Sequence, residues 1–137
     1  MANDNSSGKR MNTSFLLNIV VGLLFISLGI QGLIGRGDPD TIGNVYRLFD
    51  SESLVTVVAI VILISGFLQL IPLVFRGVSS AFVKIGRIVI LVVWIAVIVL
   101  ADIFPGFSGF DGVDWVMWIQ QLMYHLIVLA AVLLLRD

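Results

Sequence analysis

The chain has 137 residues, of which 59% are hydrophobic and 12% are charged, and its formal net charge is −1. A single water-soluble core of this size cannot cover so much apolar surface, which excludes an ordinary soluble domain. The eight basic residues are too few and too scattered for a nucleic-acid-binding surface, and the absence of cysteine excludes disulfides and cysteine-ligated metals.

Four long apolar runs dominate the chain. Crossing the hydrocarbon of a bilayer takes roughly 20 apolar residues in a helix, because lipid offers no partner to free backbone groups. The runs do not alternate apolar and polar residues, so they are not transmembrane β-strands. They cover about 13–35, 54–75, 85–104 and 115–135. We therefore predict an all-α fold: one domain at 13–135 that forms a compact bundle of four transmembrane helices, with a polar tail at 1–12 and a short end at 136–137.

The basic residues are distributed unevenly around these runs. Six of the eight lie before the first run, between the second and third, or after the fourth, whereas Arg36 and Arg47 lie on the other side with seven acidic residues that include Asp102. Cytoplasmic loops carry such an excess of cations. Both termini and the middle link are therefore predicted to be cytoplasmic, in a bacterial inner membrane. The six topology-determining cations are Lys9, Arg10, Arg76, Lys84, Arg87 and Arg136.

Span one carries a stripe of small and polar residues that predicts close helix packing. Small residues let another backbone approach, and packing is what associates helices in lipid. Ser27, Gln31 and Gly35 fall on a second face, so span one is expected in the middle of the bundle. The alternative is that its glycines are simply tolerated in a membrane helix. At spacings of 4, 3, 4 and 3, the stripe consists of Asn18, Gly22, Phe25, Gly29 and Gly32.

The loop after span one predicts a short amphipathic helix lying in the outer headgroup region. Asp38 followed by Pro39 is a helix-start signal. An irregular loop is the alternative, because Gly43 and Asn44 weaken the pattern. The apolar residues that recur at helical spacing are Ile42, Val45, Tyr46 and Phe49.

Span three is apolar through its middle except for the indole N–H of Trp94. It is interpreted either as the most lipid-exposed helix or as a face that docks on another apolar protein. The segment after it is rich in aromatic residues, which is typical of a membrane interface. These aromatic residues are Phe104, Phe107, Phe110, Trp115 and Trp118.

Span four carries the strongest candidate for a functional site. Asp114, Trp118, Gln121 and His125 follow one another at spacings of 4, 3 and 4, so they share one face, and His125 lies close to the membrane midplane. The stripe then becomes apolar at Val128, which favours a pocket opening outward over a complete conduction path. These four side chains are the candidate ligand or partner contacts.

Three interpretations of His125 stay open. Its ring nitrogens are hydrogen-bonded to amide or hydroxyl side chains of neighbouring helices, or they contact a ligand such as a quinone, or they bind a metal or haem. A single histidine without cysteine does not make a typical zinc or bis-histidine haem site. We therefore predict no metal and no cofactor. The candidate structural partners are Asn18, Ser27, Gln31, Ser65 and Gln69.

Amide side chains at matching depths predict two polar layers that set the helix register. Asn18 and Gln69 lie near the cytoplasmic ends of spans one and two, and Gln31 and Gln121 lie near the opposite side. Hydrogen bonds between helices in lipid are worth about 0.6 to 2 kcal/mol each.

The chain bears two partial resemblances to known families. The segment Gly22-Leu23-Leu24-Phe25 followed by Gly29 resembles the first helix of DoxX-type four-helix proteins, over one span only. The size is similar to that of small multidrug transporters, but span one has Asn18 and Gln31 in place of their glutamate. No site residue is transferred from either family.

No enzyme motif is present, so the protein is not expected to be an enzyme. The expected function is that of a non-catalytic accessory or structural subunit of a larger membrane protein complex. The alternatives are a small oligomeric transporter or channel, and a DoxX-like redox-associated protein that holds a quinone, lipid or pigment near His125. The expected partners are the lipid bilayer and either other membrane subunits or further copies of the chain, and no nucleic acid.

Overall fold

The computed structural model describes residues 13–35, 42–75 and 77–135, and all of the secondary structure in these ranges is helical. The predicted all-α bundle of four transmembrane helices is confirmed, since four helices are long and apolar enough to cross a membrane. The helices are α1 (Thr13–Ile34), α2 (Ile42–Phe49), α3 (Glu52–Val74), α4 (Ser80–Ile98), which continues into a π-helical turn (Val99–Ile103), and α5 (Gly112–Leu133).

Side-chain caps explain why three helices begin where they do. Ser51, before α3, and Ser79, before α4, each accept a hydrogen bond from the backbone N–H three residues further on. The cap at Ser79 lets α4 begin at Ser80, five residues before the predicted start of span three. Asp111 and Asp114 form a reciprocal capping box at the start of α5. Asp114, a candidate ligand residue, is therefore held at the exposed helix start.

The glycine stripe of α1 packs against α3, as predicted. Gly22, Gly29 and Gly32 are all buried. A Cβ built on Gly29 would lie 2.6–2.8 Å from atoms of Leu63, and one built on Gly66 of α3 would lie 2.8 Å from the carbonyl oxygen of Gly22. Such distances leave no room for a side chain, so the two backbones approach as closely as glycine allows.

One of the two predicted polar layers is present and the other is not. Gln69 Nε2 donates a hydrogen bond to Asn18 Oδ1 across the α1–α3 contact. Gln31 is exposed, and Gln121 donates instead to Asp102. The second predicted contact face of α1 is thus wrong, because Gln31 and its neighbours Ser27 and Gly35 lie on the outside of the bundle once the glycine stripe is seated on α3.

The core lies where α1, α3 and α4 meet. Phe25 and Trp94 pack with ring centroids 5.1 Å apart, and Ile62 and Ile90 are fully buried beside them. Span three is therefore not the most exposed helix, because one face of it carries Trp94 into the centre, where the indole finds a hydrogen-bond partner. The most exposed of the four is α5, in which only His125 and Val132 are buried.

The loop helix α2 is amphipathic, as predicted, and packs on α3 and on the π-helical turn. Ile42 and Val45 are fully buried, whereas Arg47 is exposed. The predicted helix start at residues 38–39 lies outside the described residues. Of the six topology-determining cations, Lys84 is exposed and Arg87 is half-buried, and the other four also lie outside the described ranges.

Candidate functional site

A π-helical turn at the end of α4 brings Asp102 into the bundle. The backbone N–H of Phe104 donates to the carbonyl of Val99 at 2.8 Å, five residues back instead of four. In a regular helix, the eight residues from Trp94 to Asp102 correspond to a rotation of about 800° around the helix axis, and Asp102 would then point about 80° away from the buried face that carries Trp94. The wider π turn reduces this rotation, and Asp102 is only 1% exposed.

The carboxylate of Asp102 is paired through both of its oxygens. Oδ2 lies 2.6 Å from Nδ1 of His125, and Oδ1 accepts a 2.8 Å hydrogen bond from Nε2 of Gln121. The side chains of His125 and Asp102 are 5% and 0% exposed. The contact gives each buried ionisable group a hydrogen-bonding partner, which offsets part of the cost of placing such groups inside a membrane domain.

Two tryptophans hold the backbone of the same two residues. The indole N–H of Trp118 donates to the carbonyl of Asp102 at 2.8 Å, and that of Trp94 donates to the carbonyl of His125 at 2.9 Å. The His125 ring also meets Trp94 edge-on, with centroids 5.5 Å apart. Side-chain and backbone contacts therefore fix the pair together, which favours one defined geometry at the site.

A cavity of about 480 Å³ opens beside this pair, and we call it the α2–α5 cavity. Asp102 and Gln121 form its inner end, because Gln121 lies furthest along α5 among the lining residues. Its volume falls within the usual range for small-molecule sites. The walls are lined by Arg47 of α2, by Ser108 and Phe110 of the loop, and by Asp114, Met117 and Trp118 of α5.

Aromatic side chains of the segment predicted as a membrane-interface belt cluster beside the cavity. The ring of Phe107 lies 5.7, 5.3 and 5.0 Å from those of Phe110, Trp115 and Trp118, measured between centroids. Stacked and edge-on pairs of this kind add to the apolar burial of each ring. The cluster makes a rigid apolar border next to the polar inner end of the cavity.

Three of the four side chains predicted on one face of α5 gather around Asp102. They are Trp118, Gln121 and His125, whereas Asp114 contributes to the cavity wall from the helix start. His125 pairs with Asp102 and not with the amide and hydroxyl side chains expected from the sequence. Ser65 donates to the carbonyl of Val61 at 2.7 Å, Asn18 pairs with Gln69, and Ser27 and Gln31 are exposed.

Sequence reasoning missed Asp102, the central residue of the site. Asp102 was counted among the acidic residues of the loops, although it lies inside the third apolar run at 85–104. The available signal was that it is the one acidic residue within any of the four predicted spans. An ionisable residue inside a span usually pairs with another polar group, and His125, the single histidine of the chain, lies inside span four.

The described residues include no group of three or more histidine, cysteine or acidic side chains that could hold a metal ion. The site consists of the hydrogen-bonded Asp102–His125 pair, the Gln121 amide and the aromatic side chains beside the cavity. The chain matches no protein-family model, no curated protein sequence and no solved structure.

Proposed function

We propose that this integral membrane protein binds a small ligand in the α2–α5 cavity, with Asp102 and Gln121 at the polar end of the binding site and His125 as the buried partner of Asp102. The observation that carries the proposal is an open cavity whose inner end is formed by Gln121 and Asp102, next to the buried Asp102–His125 pair. Ionisable groups inside a membrane domain are costly to place there, so their presence favours a functional role.

A comparison within the molecule supports this reading of Asp102. Where α1 and α3 need a polar contact, the chain uses two neutral amides, Asn18 and Gln69. Neutral amides set helix register without the desolvation cost of charged groups. The use of a carboxylate and an imidazole at the other site, directly next to a cavity, favours a role that needs proton exchange or strong hydrogen bonding with a ligand.

The cavity lining supports an amphipathic ligand. Trp118, Phe110 and Met117 provide apolar surface, while Gln121 and Ser108 provide hydrogen-bonding groups. Of the classes considered from the sequence, a quinone, lipid or pigment head group has this mixed chemistry. A transporter or channel is less well supported, because buried core side chains such as Trp94 and Phe25 fill the bundle next to the pair.

We also propose an orientation of the protein in the membrane. We place both termini on the cytoplasmic side of a bacterial inner membrane, on the strength of the cation distribution. In this orientation the α2–α5 cavity opens on the opposite side, toward the outer leaflet, where an amphipathic molecule could enter from lipid.

Ligand binding is tested with protein purified in mild detergent. Native mass spectrometry is expected to show a bound non-protein mass, and a short-tailed benzoquinone is the probe for titration by tryptophan fluorescence quenching. Gln121→Leu should weaken benzoquinone binding at least about 10-fold, because the cavity loses the hydrogen-bonding amide at its inner end. Gln120→Leu is the matched control: it is the same change one residue away, on the exposed side of α5, and should bind normally.

The result that overturns the ligand proposal is clear. A wild-type protein with no bound mass and no saturable quenching would contradict it. So would equal benzoquinone binding by the wild-type and Gln121→Leu proteins, since the polar end of the cavity would then play no part.

A second candidate function is the accessory subunit of a larger membrane complex. It is supported by how little the bundle covers α5, in which only His125 and Val132 are buried. The exposed side of α5 is therefore open to a helix of another subunit. Purification in mild detergent would support this candidate by yielding unrelated subunits at fixed stoichiometry, and a preparation without them would count against it.

A further inference from the structure

A polar pair lies on the outward side of α5, away from the candidate site. Nε2 of Gln120 donates to the hydroxyl of Tyr124 at 2.9 Å, and both side chains are exposed. The middle of α5 falls between Leu122 and Met123. At about 1.5 Å per residue, the two polar residues lie within roughly 4 Å of the middle of the span. They therefore face the hydrocarbon at its greatest depth.

Lipid cannot satisfy these groups. A carboxamide has two N–H donors and one acceptor oxygen, and the contact with Tyr124 uses one donor. A polar group placed in hydrocarbon without a hydrogen bond is costly. Thr56, which is also exposed, is placed differently, because it lies near a helix end and donates to the carbonyl of Glu52. We therefore expect a protein partner to hydrogen-bond with the Gln120 carboxamide near the middle of the membrane.

The residues around Gln120 form a continuous exposed seam along α5. They follow one another at spacings of 4, 3, 4 and 3, an average of 3.5 residues, which is the spacing of helices that pack at about 20° to each other. The opposite side of α5 carries Gln121 and His125 into the bundle. The seam consists of Val113, Met117, Gln120, Tyr124 and Ile127, of which Met117 also borders the α2–α5 cavity.

We propose that this seam joins two copies of the protein, related by a two-fold axis along the membrane normal with Gln120 at the contact. Copies inserted in one orientation carry Gln120 at the same depth. If the two-fold axis passes close to this residue, the Gln120 side chains of the two copies face each other. A carboxamide suits this arrangement because it both donates and accepts, so two Gln120 side chains can exchange hydrogen bonds. The seam has no charged residue, so identical copies do not repel each other.

The absence of cysteine from the chain makes a direct test simple. Gln120→Cys gives a single thiol, which we expect to cross-link two copies under mild oxidation in native membranes. Val92→Cys is the matched control, since Val92 lies at mid-depth of the third span and is 60% exposed, but belongs to another helix. It should give little cross-linked dimer.

Association in liposomes gives the second measurement. By single-molecule photobleaching, the wild-type protein should be dimeric, and Gln120→Leu should raise the dissociation constant by roughly 3- to 30-fold, the range for one or two interhelical hydrogen bonds. Gln120→Asn, which keeps the amide, should restore much of the association. Gln121→Leu should dimerise normally, so the dimer and the ligand site are tested separately.

Three outcomes would overturn the two-fold dimer. The first is a monomeric wild-type protein in liposomes. The second is equal cross-linking of the Gln120→Cys and Val92→Cys variants, which would indicate random collision. The third is an unrelated subunit cross-linked at position 120 at fixed stoichiometry, which would assign the seam to the accessory-subunit alternative.

Discussion

Removing both partners of the Asp102–His125 pair should cost much less than the sum of the two single removals. Asp102→Leu or His125→Leu leaves one ionisable group buried without its partner, which typically costs about 3–5 kcal/mol. In the double variant no such group remains, and the main loss is the acceptor for Gln121 Nε2, about 1–3 kcal/mol. The sum of the single effects, about 6–10 kcal/mol, therefore exceeds the double effect by at least about 3 kcal/mol.

The assay is a double-mutant cycle of unfolding free energies, measured by SDS titration in detergent micelles. Tryptophan fluorescence is a suitable signal, because the indoles of Trp94 and Trp118 donate to the backbone of the two paired residues. The control cycle uses Asn18→Leu and Gln69→Leu, a neutral pair that should couple by only about 0.6 to 2 kcal/mol.

Additive single effects would refute this reasoning. If the two substitutions add to within about 0.5 kcal/mol, the 2.6 Å contact contributes no coupling, as expected only for independent sites. Single costs below about 1 kcal/mol would also contradict it, because they would mean that neither group is buried as described.

Two further predictions concern packing and topology. Gly66→Ala should destabilise the bundle by about 1–3 kcal/mol in the same SDS titration, because the added Cβ would lie 2.8 Å from the backbone of Gly22. Gly112→Ala is the control and should be nearly neutral, because a Cβ at this position meets no atom within 4 Å. Reporter tags fused at residues 1 and 137 should both be cytoplasmic by protease accessibility in spheroplasts and inverted vesicles; tags on opposite faces would refute the four-span topology.

The parts of the fold that follow from local pattern were predictable. Four runs of about 20 apolar residues have few alternatives to transmembrane helices. The stripe of Gly22, Gly29 and Gly32 predicted the α1 face that meets α3 because only small residues admit such close contact. Matching depth was sufficient to pair Asn18 with Gln69, since both lie near the same end of adjacent antiparallel helices.

Asp102 could not be placed in the same way, because its position depends on a break in helical periodicity. A regular α-helix directs it about 80° away from Trp94, and at the end of a span it resembles a loop residue. The π-helical turn that rotates it inward is accompanied by a contact distant in sequence, in which Trp118 donates to the Asp102 carbonyl. Helical wheels assume uniform rotation, so they do not reveal such a site.

The attachment of α5 links the site to the stability of the bundle. Only His125 and Val132 of α5 are buried, and lipid provides no hydrophobic force that drives helices together. Four of the hydrogen bonds that join α5 to α4 and its π turn involve Asp102 or His125. Loss of the pair should therefore loosen α5 first, while the glycine contact of α1 with α3 persists. A ligand that strengthens the Asp102 end of the cavity would, by the same reasoning, hold α5 more firmly in place.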